Sequence, residues 1–257
     1  MTRAAQSGLP FSTPPDARLT MLDSGQGFLC GLDEQGAAHC WTTRYEEVNA
    51  DKYRPPDVEF VDVSSGACVS CGLDVTGNAH CWTDNDTCYP QLPTSPPGPL
   101  HEITVATGSG ICALTDENGL VCWGLEAGDP LMALAPDAGE YSKLCASFGH
   151  FCALDLDGFA TCWGQYAGYG SLPNDVPFKE IACSPQATCA IDLDDHAQCW
   201  GYSLEEATAT QLTQPPDMAF RSMDVDDEFA CGVTLSGDIA CWGNNSEGGT
   251  EVPDGFP

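Results

Sequence analysis

A motif of two cysteines and a tryptophan occurs six times in this chain and constrains its fold more than any other feature. Nine residues separate the cysteines in each copy, and a tryptophan directly follows the second one. The copies are CGLDEQGAAHCW (30–41), CGLDVTGNAHCW (71–82), CALTDENGLVCW (112–123), CALDLDGFATCW (152–163), CAIDLDDHAQCW (189–200) and CGVTLSGDIACW (231–242). Successive tryptophans are 37 to 42 residues apart. A period of this length indicates a solenoid or a propeller built from one repeated unit.

Each copy of the motif predicts a β-hairpin. If a type I turn with a glycine bulge joins the two strands, the sixth residue after the first cysteine adopts a positive φ, which glycine, asparagine and aspartate do most readily. This position holds Gly36, Gly77, Asn118, Gly158, Asp195 and Gly237. Counting outward from the first turn, Leu32 pairs with Ala38 and Cys30 pairs with Cys40. The cysteines of each copy are therefore expected to face each other, at the short end of the Cα distances that a disulfide spans.

The chain has 16 cysteines, an excess that indicates a disulfide framework and an oxidising compartment. The hairpin register predicts the bridges Cys30–Cys40, Cys71–Cys81, Cys112–Cys122, Cys152–Cys162, Cys189–Cys199 and Cys231–Cys241. Cys145 and Cys183 occupy similar places in consecutive repeats and are predicted to join them, and Cys68 and Cys88 are predicted to close the loop around the second hairpin. Small buried thiols are an alternative. Zinc is another, but it favours paired CxxC units, and the chain has a single one at 68–71.

A proline-rich turn and a short apolar strand precede each hairpin, as in PPDVEFVDV (55–63). The chain ends on VPDGFP (252–257), the start of a seventh copy, and PPDARL near the N-terminus continues it. A linear solenoid would need capping repeats, which neither end resembles. We therefore predict an all-β fold, a six-bladed β-propeller closed by pairing of the N- and C-terminal segments. It forms a single domain (1–257) that begins with an irregular segment (1–13).

The repeats resemble the RCC1 family, most closely in CWGNNSEGGTEVP (241–253) and CALDLDGFATCWGQYAG (152–168). The resemblance extends over about residues 14–257. The repeat length is similar to that of compact secreted bacterial members such as β-lactamase inhibitor protein II, although those relatives have seven blades and this chain offers six. Trp41 and Trp82 also precede threonine where the motif has glycine. The resemblance implies a binding scaffold and no particular chemistry, because a fold alone does not determine function.

Charge excludes several classes of partner. The chain has 38 Asp and Glu against 8 Lys and Arg, a formal net charge of −30. We expect no nucleic-acid binding, because contacts to phosphates need basic residues. We also expect no membrane insertion, since the sequence lacks an apolar run of about 18 residues. The first 15 residues lack the apolar region of a signal peptide, so an export signal would have been removed or replaced.

The loops that follow the tryptophans differ most between copies and form the predicted binding face. Six of the seven tyrosines lie in them, and tyrosine is a frequent contact residue at interfaces. The candidate binding residues are Tyr45, Tyr53, Tyr89, Tyr166, Tyr169 and Tyr202. Packing between blades is the alternative role for these side chains. The same face is expected to carry Glu46, Glu47, Asp84, Asp86, Glu126, Asp129, Glu205 and Glu206, with Asp224, Asp226, Asp227 and Glu228 near the last of its loops.

The sequence thus predicts a monomeric, extracellular, periplasmic or cell-surface binding protein without enzymatic activity, catalytic residues or cofactor. Its predicted partner is a protein or peptide, basic in charge, and inhibition is one form such binding takes in the family. The alternative is a carbohydrate-binding or enzymatic propeller with a site in the central depression. No metal site is predicted, because the carboxylates at DLDG (155–158) and DLDD (192–195) are too few for the six to eight oxygens around calcium. His39 and His80 are expected to face solvent.

Overall fold

A computed structural model of the chain describes residues 18–25, 28–42, 55–67, 69–83, 95–107, 110–124, 134–136, 139–164, 172–185, 187–201, 212, 214–226, 229–245 and 249–252. These residues form eighteen β-strands. The strands are β1 (Leu19–Gly25), β2 (Phe28–Asp33), β3 (Ala38–Thr42), β4 (Phe60–Ser65), β5 (Val69–Asp74), β6 (Ala79–Thr83), β7 (Leu100–Val105), β8 (Ile111–Thr115), β9 (Leu120–Trp123), β10 (Tyr141–Ser147), β11 (His150–Asp155), β12 (Ala160–Gly164), β13 (Phe178–Cys183), β14 (Ala187–Asp192), β15 (Ala197–Gly201), β16 (Phe220–Val225), β17 (Phe229–Thr234) and β18 (Ile239–Gly243). Within these ranges there is no helix that is long and apolar enough to cross a membrane.

Three consecutive antiparallel strands form each of six sheets, which are the blades of a propeller. Blade 1 is β1–β3, blade 2 is β4–β6, and so on to blade 6, β16–β18. The first strand of each blade lines a central cavity, and the blades contact one another in chain order. The fold is therefore an all-β propeller with six blades. The predicted pairing of the chain ends involves residues outside the described ranges and stays a prediction.

The hairpins have the predicted register. In blade 1 Cys30 pairs with Cys40 and Leu32 with Ala38, and the same offset recurs in the other five blades. All six turn residues have a positive φ, including the non-glycine residues Asn118 at 62° and Asp195 at 71°. The hairpin disulfides have Cα–Cα distances of 4.0 or 4.1 Å. This short span follows from direct opposition of the two residues across the ladder.

An aspartate or threonine three residues after the first cysteine fixes each turn. The Oδ1 atom of Asp33 accepts hydrogen bonds from the backbone N–H groups of Gln35 and Ala37, both at 2.9 Å. Asp74, Asp155 and Asp192 accept the equivalent pairs, and Thr115 and Thr234 accept one such bond each through Oγ1. Side chains of this type stabilise turns by satisfying backbone donors locally.

Each of the first five hairpin turns also binds the next blade. The carbonyl oxygen of Gly77 accepts a 2.9 Å hydrogen bond from the backbone N–H of Leu100, at the start of blade 3. Equivalent bonds of 2.8 Å join the other turns of this group to Phe60, Tyr141, Phe178 and Phe220. At Gly237, the turn of blade 6, a Cβ atom would meet no atom of the described residues within 4 Å. The described contacts at this turn therefore differ from those in the other five blades.

The hydrophobic core lies between neighbouring blades as separate clusters. One cluster joins Leu154 of blade 4 to Phe178, Ile181 and Trp200 of blade 5. Three tryptophans pack against the phenylalanine that begins their own blade, with ring centroids 5.3 to 5.6 Å apart in the pairs Phe60–Trp82, Phe178–Trp200 and Phe220–Trp242. The tryptophan of the repeat is thus a core residue, which explains why it recurs with the hairpin.

Candidate functional site

The inner strands of the six blades enclose a central cavity of about 1070 Å³. Every blade contributes to its wall, with residues such as Ser24, Val63, Ile103 and Met223. The cavity results directly from the ring arrangement, because the inner strands are the innermost layer of the propeller. It is large enough for a peptide segment or a small molecule.

Carboxylates dominate the charge of the cavity. Its wall includes Asp23, Asp62, Glu102, Asp224 and Asp226. Among the described residues of this wall, Lys143 is the one lysine or arginine. Its Nζ atom lies 4.0 Å from Oε1 of Glu180, a further acid in the inner strand β13. Carboxylates therefore outnumber basic side chains in the described wall of the cavity.

The charged residues occupy two different register positions in the inner strands. Asp62, Glu102 and Lys143 stand opposite the leucines Leu73, Leu114 and Leu154 of their own blades. Asp23 and Asp224 stand opposite the hairpin cysteines Cys30 and Cys231. Because the same register position recurs in each blade, equivalent side chains of successive blades follow one another around the cavity.

Three of the carboxylates also connect neighbouring blades. Asp23 accepts a 2.8 Å hydrogen bond from the backbone N–H of Ser65. Asp62 accepts one of 3.0 Å from Ile103, and Glu102 accepts one from Leu144. Each acid thus binds the inner strand of the following blade, which satisfies N–H groups that the blade's own ladder leaves unpaired. These side chains hold the ring together as well as giving it charge.

Burial changes the protonation of the cavity carboxylates. Desolvation raises the pKa of Asp23 to about 6, with a smaller contribution from the negative charge of Asp224. Desolvation likewise raises the pKa of Asp62 to about 6, and hydrogen bonds from backbone N–H groups oppose this. The pKa values of Glu102 and Asp224 are raised for the same reason. Asp224 is open to the cavity, but the surrounding ring of protein limits its hydration. A bound cation would favour the charged form of all four groups.

The contact between blades 4 and 5 contains a disulfide in the cavity wall. Cys145 and Cys183 join β10 to β13, as the sequence predicts. The Sγ atoms of Cys145, Cys152 and Cys183 lie within 4.8 Å of one another. All three are engaged in disulfides, so no thiolate is present there to bind a metal.

Two buried polar side chains lie beside these sulfurs. The Oγ1 atom of Thr188 lies 3.9 Å from Sγ of Cys152 and 4.0 Å from Sγ of Cys183. The Nε2 atom of His150 lies 3.3 Å from the same hydroxyl oxygen. Desolvation lowers the pKa of His150 to about 4, although the backbone of Phe148 opposes this effect. The imidazole is therefore neutral at pH 7.

The six candidate tyrosines, Tyr45, Tyr53, Tyr89, Tyr166, Tyr169 and Tyr202, lie outside the described residues, as do Cys68 and Cys88. Of the acids expected on the loop-rich face, Asp224 and Asp226 are described, and both line the cavity. The side chains of His39 and His80, which are expected to face solvent, are 32% exposed. Each Nε2 atom lies 2.8 Å from a turn carboxylate, that of Asp33 or Asp74.

Sequence analysis missed the role of Asp23, Asp62 and Glu102. One signal was available, because Asp62, Glu102 and Glu180 each follow the first residue of their strand by two positions. In a strand with one face on the core, such a residue lies on the same face as that apolar residue. A bulge after the first residue changes this alternation and turns the acids toward the cavity.

The chain has structural neighbours among solved propellers. No protein-family model matches it, and neither does any curated protein. The ectodomain of the receptor kinase CR4 from Physcomitrella patens is similar, with 26% identity and a TM-score of 0.71 over 90% of this chain. The chain spans 63% of the length of that ectodomain.

Two further neighbours share the fold. The CRINKLY WD40 ectodomain of the Arabidopsis thaliana receptor kinase ACR4 is 24% identical, with a TM-score of 0.71 over 90% of this chain and 82% of its own. Prp20p from Saccharomyces cerevisiae is 14% identical, with a TM-score of 0.66 over 86% of this chain and 71% of its own. Prp20 is yeast RCC1. The repeat and these neighbours together identify the fold of this chain as a six-bladed β-propeller of the RCC1-like type.

Proposed function

We propose that this chain is an extracellular, non-enzymatic binding protein that receives a basic segment of a protein partner in its central cavity. The observation that carries the proposal is the composition of the cavity wall, in which five carboxylates accompany a single lysine among the described residues. The predicted tyrosines of the surrounding loops would add contacts at the entrance.

Electrostatics favours a basic partner at long and at short range. A net charge of −30 attracts positively charged chains and speeds their association. Within the cavity, Asp23 and Asp62 are costly to ionise at neutral pH because they are poorly hydrated. A lysine or arginine side chain supplies charged donors that replace the missing water. The binding energy would therefore come from compensating charge on carboxylates that the surrounding protein leaves poorly hydrated.

Disulfides and structural neighbours support an extracellular location. Seven disulfides join described cysteines, and such frameworks persist in oxidising compartments. The two plant neighbours are receptor-kinase ectodomains. Prp20p has been studied for its binding to Gsp1p and histones, so a propeller of this fold carries protein-binding sites in another organism. At 14% identity that likeness concerns the fold, and the argument for this chain depends on its own cavity.

The test compares two charge-matched double variants for binding of a fluorescent decalysine peptide, measured by anisotropy at pH 7.5. Asp224→Asn with Asp226→Asn removes two acids from the cavity wall. Asp157→Asn with Asp194→Asn removes two exposed acids from hairpin turns. We expect the cavity variant to bind about tenfold more weakly, which corresponds to roughly 1.4 kcal/mol, and the turn variant to bind within about twofold of the unaltered protein.

Equal weakening in the two variants would contradict the proposal, because it would show attraction to the overall charge alone. Binding that does not depend on ionic strength would also contradict it and would favour the carbohydrate-binding or enzymatic alternative. Replacement of Tyr166 and Tyr169 by alanine tests the loop contribution separately, through loss of affinity for a protein partner captured from the native extracellular fluid.

A further inference from the structure

We propose that Cys183 is an S-thiolation site, at which a small cationic thiol that enters the central cavity becomes attached by thiol–disulfide exchange. Cys145 and Cys183 both line the cavity, and their disulfide bridges blades 4 and 5. Cys183 is half-buried, whereas Cys145 is 8% exposed. Of the two residues in this bridge, Cys183 is therefore the more accessible from the cavity.

Blade 4 has a row of three cysteines across its three strands. Cys145 in β10 stands opposite Cys152 in β11, and Cys152 stands opposite Cys162 in β12. Directly opposed residues of neighbouring strands point to the same face of a sheet. The position of Cys145 in this row is occupied in the other blades by Asp23, Ser64, Thr104, Ala182 and Asp224. Blade 5 also contains a third cysteine, Cys183, but this residue stands opposite Thr188. Among the described residues, blade 4 alone has a cysteine directly opposite its hairpin disulfide.

This row provides a path for the sulfur that the incoming thiol displaces. The thiolate of the small molecule attacks Sγ of Cys183, the Cys145–Cys183 bond breaks, and Cys145 leaves as a thiolate. Cys145 then attacks Sγ of Cys152, which lies within 4.8 Å, and the Cys152–Cys162 bond breaks. Cys162 leaves as a thiolate and takes up the proton that the small thiol lost. Two disulfides are consumed and two are formed, so the exchange needs no oxidant or reductant beyond the thiol.

Two buried polar side chains contact the sulfurs that the exchange attacks. Thr188 can donate its hydroxyl hydrogen to Cys152 or Cys183, whose sulfurs lie 3.9 and 4.0 Å from its Oγ1 atom. When the Nε2 atom of neutral His150 carries the ring proton, it donates to that oxygen at 3.3 Å and leaves the hydroxyl hydrogen free to point at sulfur. These contacts hold the two attacked sulfurs in place, while the negative charge passes from the small thiol to Cys145 and then to Cys162.

The charge of the cavity selects the thiol. Carboxylates of the wall, including Asp62 and Glu102, attract cations and repel anions. We expect cysteamine, an aminothiol with a positive charge, to react faster than mercaptoacetate, which is negative. Each rate is divided by the rate of the same thiol with a small uncharged disulfide, because intrinsic thiol reactivity differs between compounds.

The experiment treats the folded full-length protein with cysteamine at pH 8, blocks free thiols with N-ethylmaleimide, and maps disulfides by mass spectrometry of non-reduced peptides. We expect cysteamine on Cys183, a Cys145–Cys152 cross-link and maleimide on Cys162. Cys199 is the matched control, because its hairpin has Ala182 in place of a third cysteine. Labelling of Cys162 should exceed that of Cys199 by about tenfold.

A Cys145→Ser, Cys183→Ser double variant completes the test, since it removes the bridge and leaves the Cys152–Cys162 hairpin intact. Labelling of Cys162 should then fall to the level of Cys199. The proposal is wrong if Cys162 and Cys199 are labelled equally in the unaltered protein, or if Cys162 is labelled as strongly in the double variant. The comparison within the unaltered protein decides the question even if the double variant does not fold.

Discussion

Aspartates in this protein have opposite protonation behaviour according to where they lie. Desolvation raises the pKa of Asp62 in the cavity wall to about 6. The pKa of Asp74 in a hairpin turn is lowered, because hydrogen bonds from His80, Thr76 and Asn78 together outweigh desolvation. Local spacing places Asp74 within a predicted hairpin, although sequence analysis assigned this residue no role. The sequence did not distinguish Asp62 among 38 acids, because its environment is created by other blades.

These shifts determine how stability depends on pH. Asp23 and Asp62 have raised pKa values in the folded protein. Their contribution to the free energy of unfolding is therefore complete below about pH 4 and is lost as the pH rises through about 6. His150 acts in the opposite direction, because its folded pKa is lowered to about 4 and its contribution is lost as the pH falls from 6.5. Two acids outweigh one histidine, so we expect the melting temperature to fall between pH 4.5 and pH 7.

The variant Asp62→Asn isolates this effect. Its amide oxygen can still accept the hydrogen bond from Ile103 but carries no buried charge. We expect the free energy of unfolding at pH 7 to be roughly 1–2 kcal/mol higher than that of the unaltered protein, with little difference at pH 4.5. Asp74→Asn is the control and should be destabilising at pH 7, since it weakens bonds to His80 and Thr76. Equal destabilisation of the two variants in thermal melts at pH 7 would contradict this account.

Hairpins act both as local units and as connections between blades. Their pairing could be predicted because a ten-residue spacing of cysteines and one residue of positive φ determine the register. Their second role could not, because the bond from Leu100 to the turn at Gly77 joins different repeats. Such contacts depend on the angle between blades, and no spacing within a repeat encodes that angle.

Replacing turn glycines by alanine measures this connection. Gly77 has a φ of 79°, and an added Cβ would lie 2.7 Å from the backbone N and O atoms of Leu100. Gly237 has a φ of 96°, but no described residue places an atom within 4 Å of an added Cβ. We expect Gly237→Ala to cost about 1 kcal/mol through backbone strain alone. Gly77→Ala should cost roughly 2–4 kcal/mol because it also displaces blade 3.

Guanidinium denaturation of the two glycine variants measures the loss of stability in each. The difference between them reports the contact between blades, because the strain at a positive φ is common to both. Equal losses of stability would mean that the turn of blade 2 contributes nothing to its neighbour, contrary to the geometry at Leu100.

At the scale of the whole molecule, the number of repeats predicted the number of blades, and the arrangement of the blades around a centre produced the cavity. Six copies of one unit form six blades, because each unit must cover the apolar face of the next. The tyrosine-bearing loops remain the predicted rim of the binding face. The clustering of Asp and Glu side chains at the centre was not predictable from the sequence. It arises only when the inner strands of all six blades are arranged around one axis.

The central claim is that a basic segment binds inside the ring, and photo-cross-linking tests it most directly. A decalysine peptide with a photoreactive group at its middle residue is bound to the protein at pH 7.5 and irradiated, and the attached residues are identified by mass spectrometry. The account predicts cross-links to inner-strand residues of the cavity wall such as Leu22 and Val61, which are exposed, and Met223, which is half-buried. Cross-links confined to the exposed hairpin turns, at Leu156, Leu193 and Leu235, would contradict it.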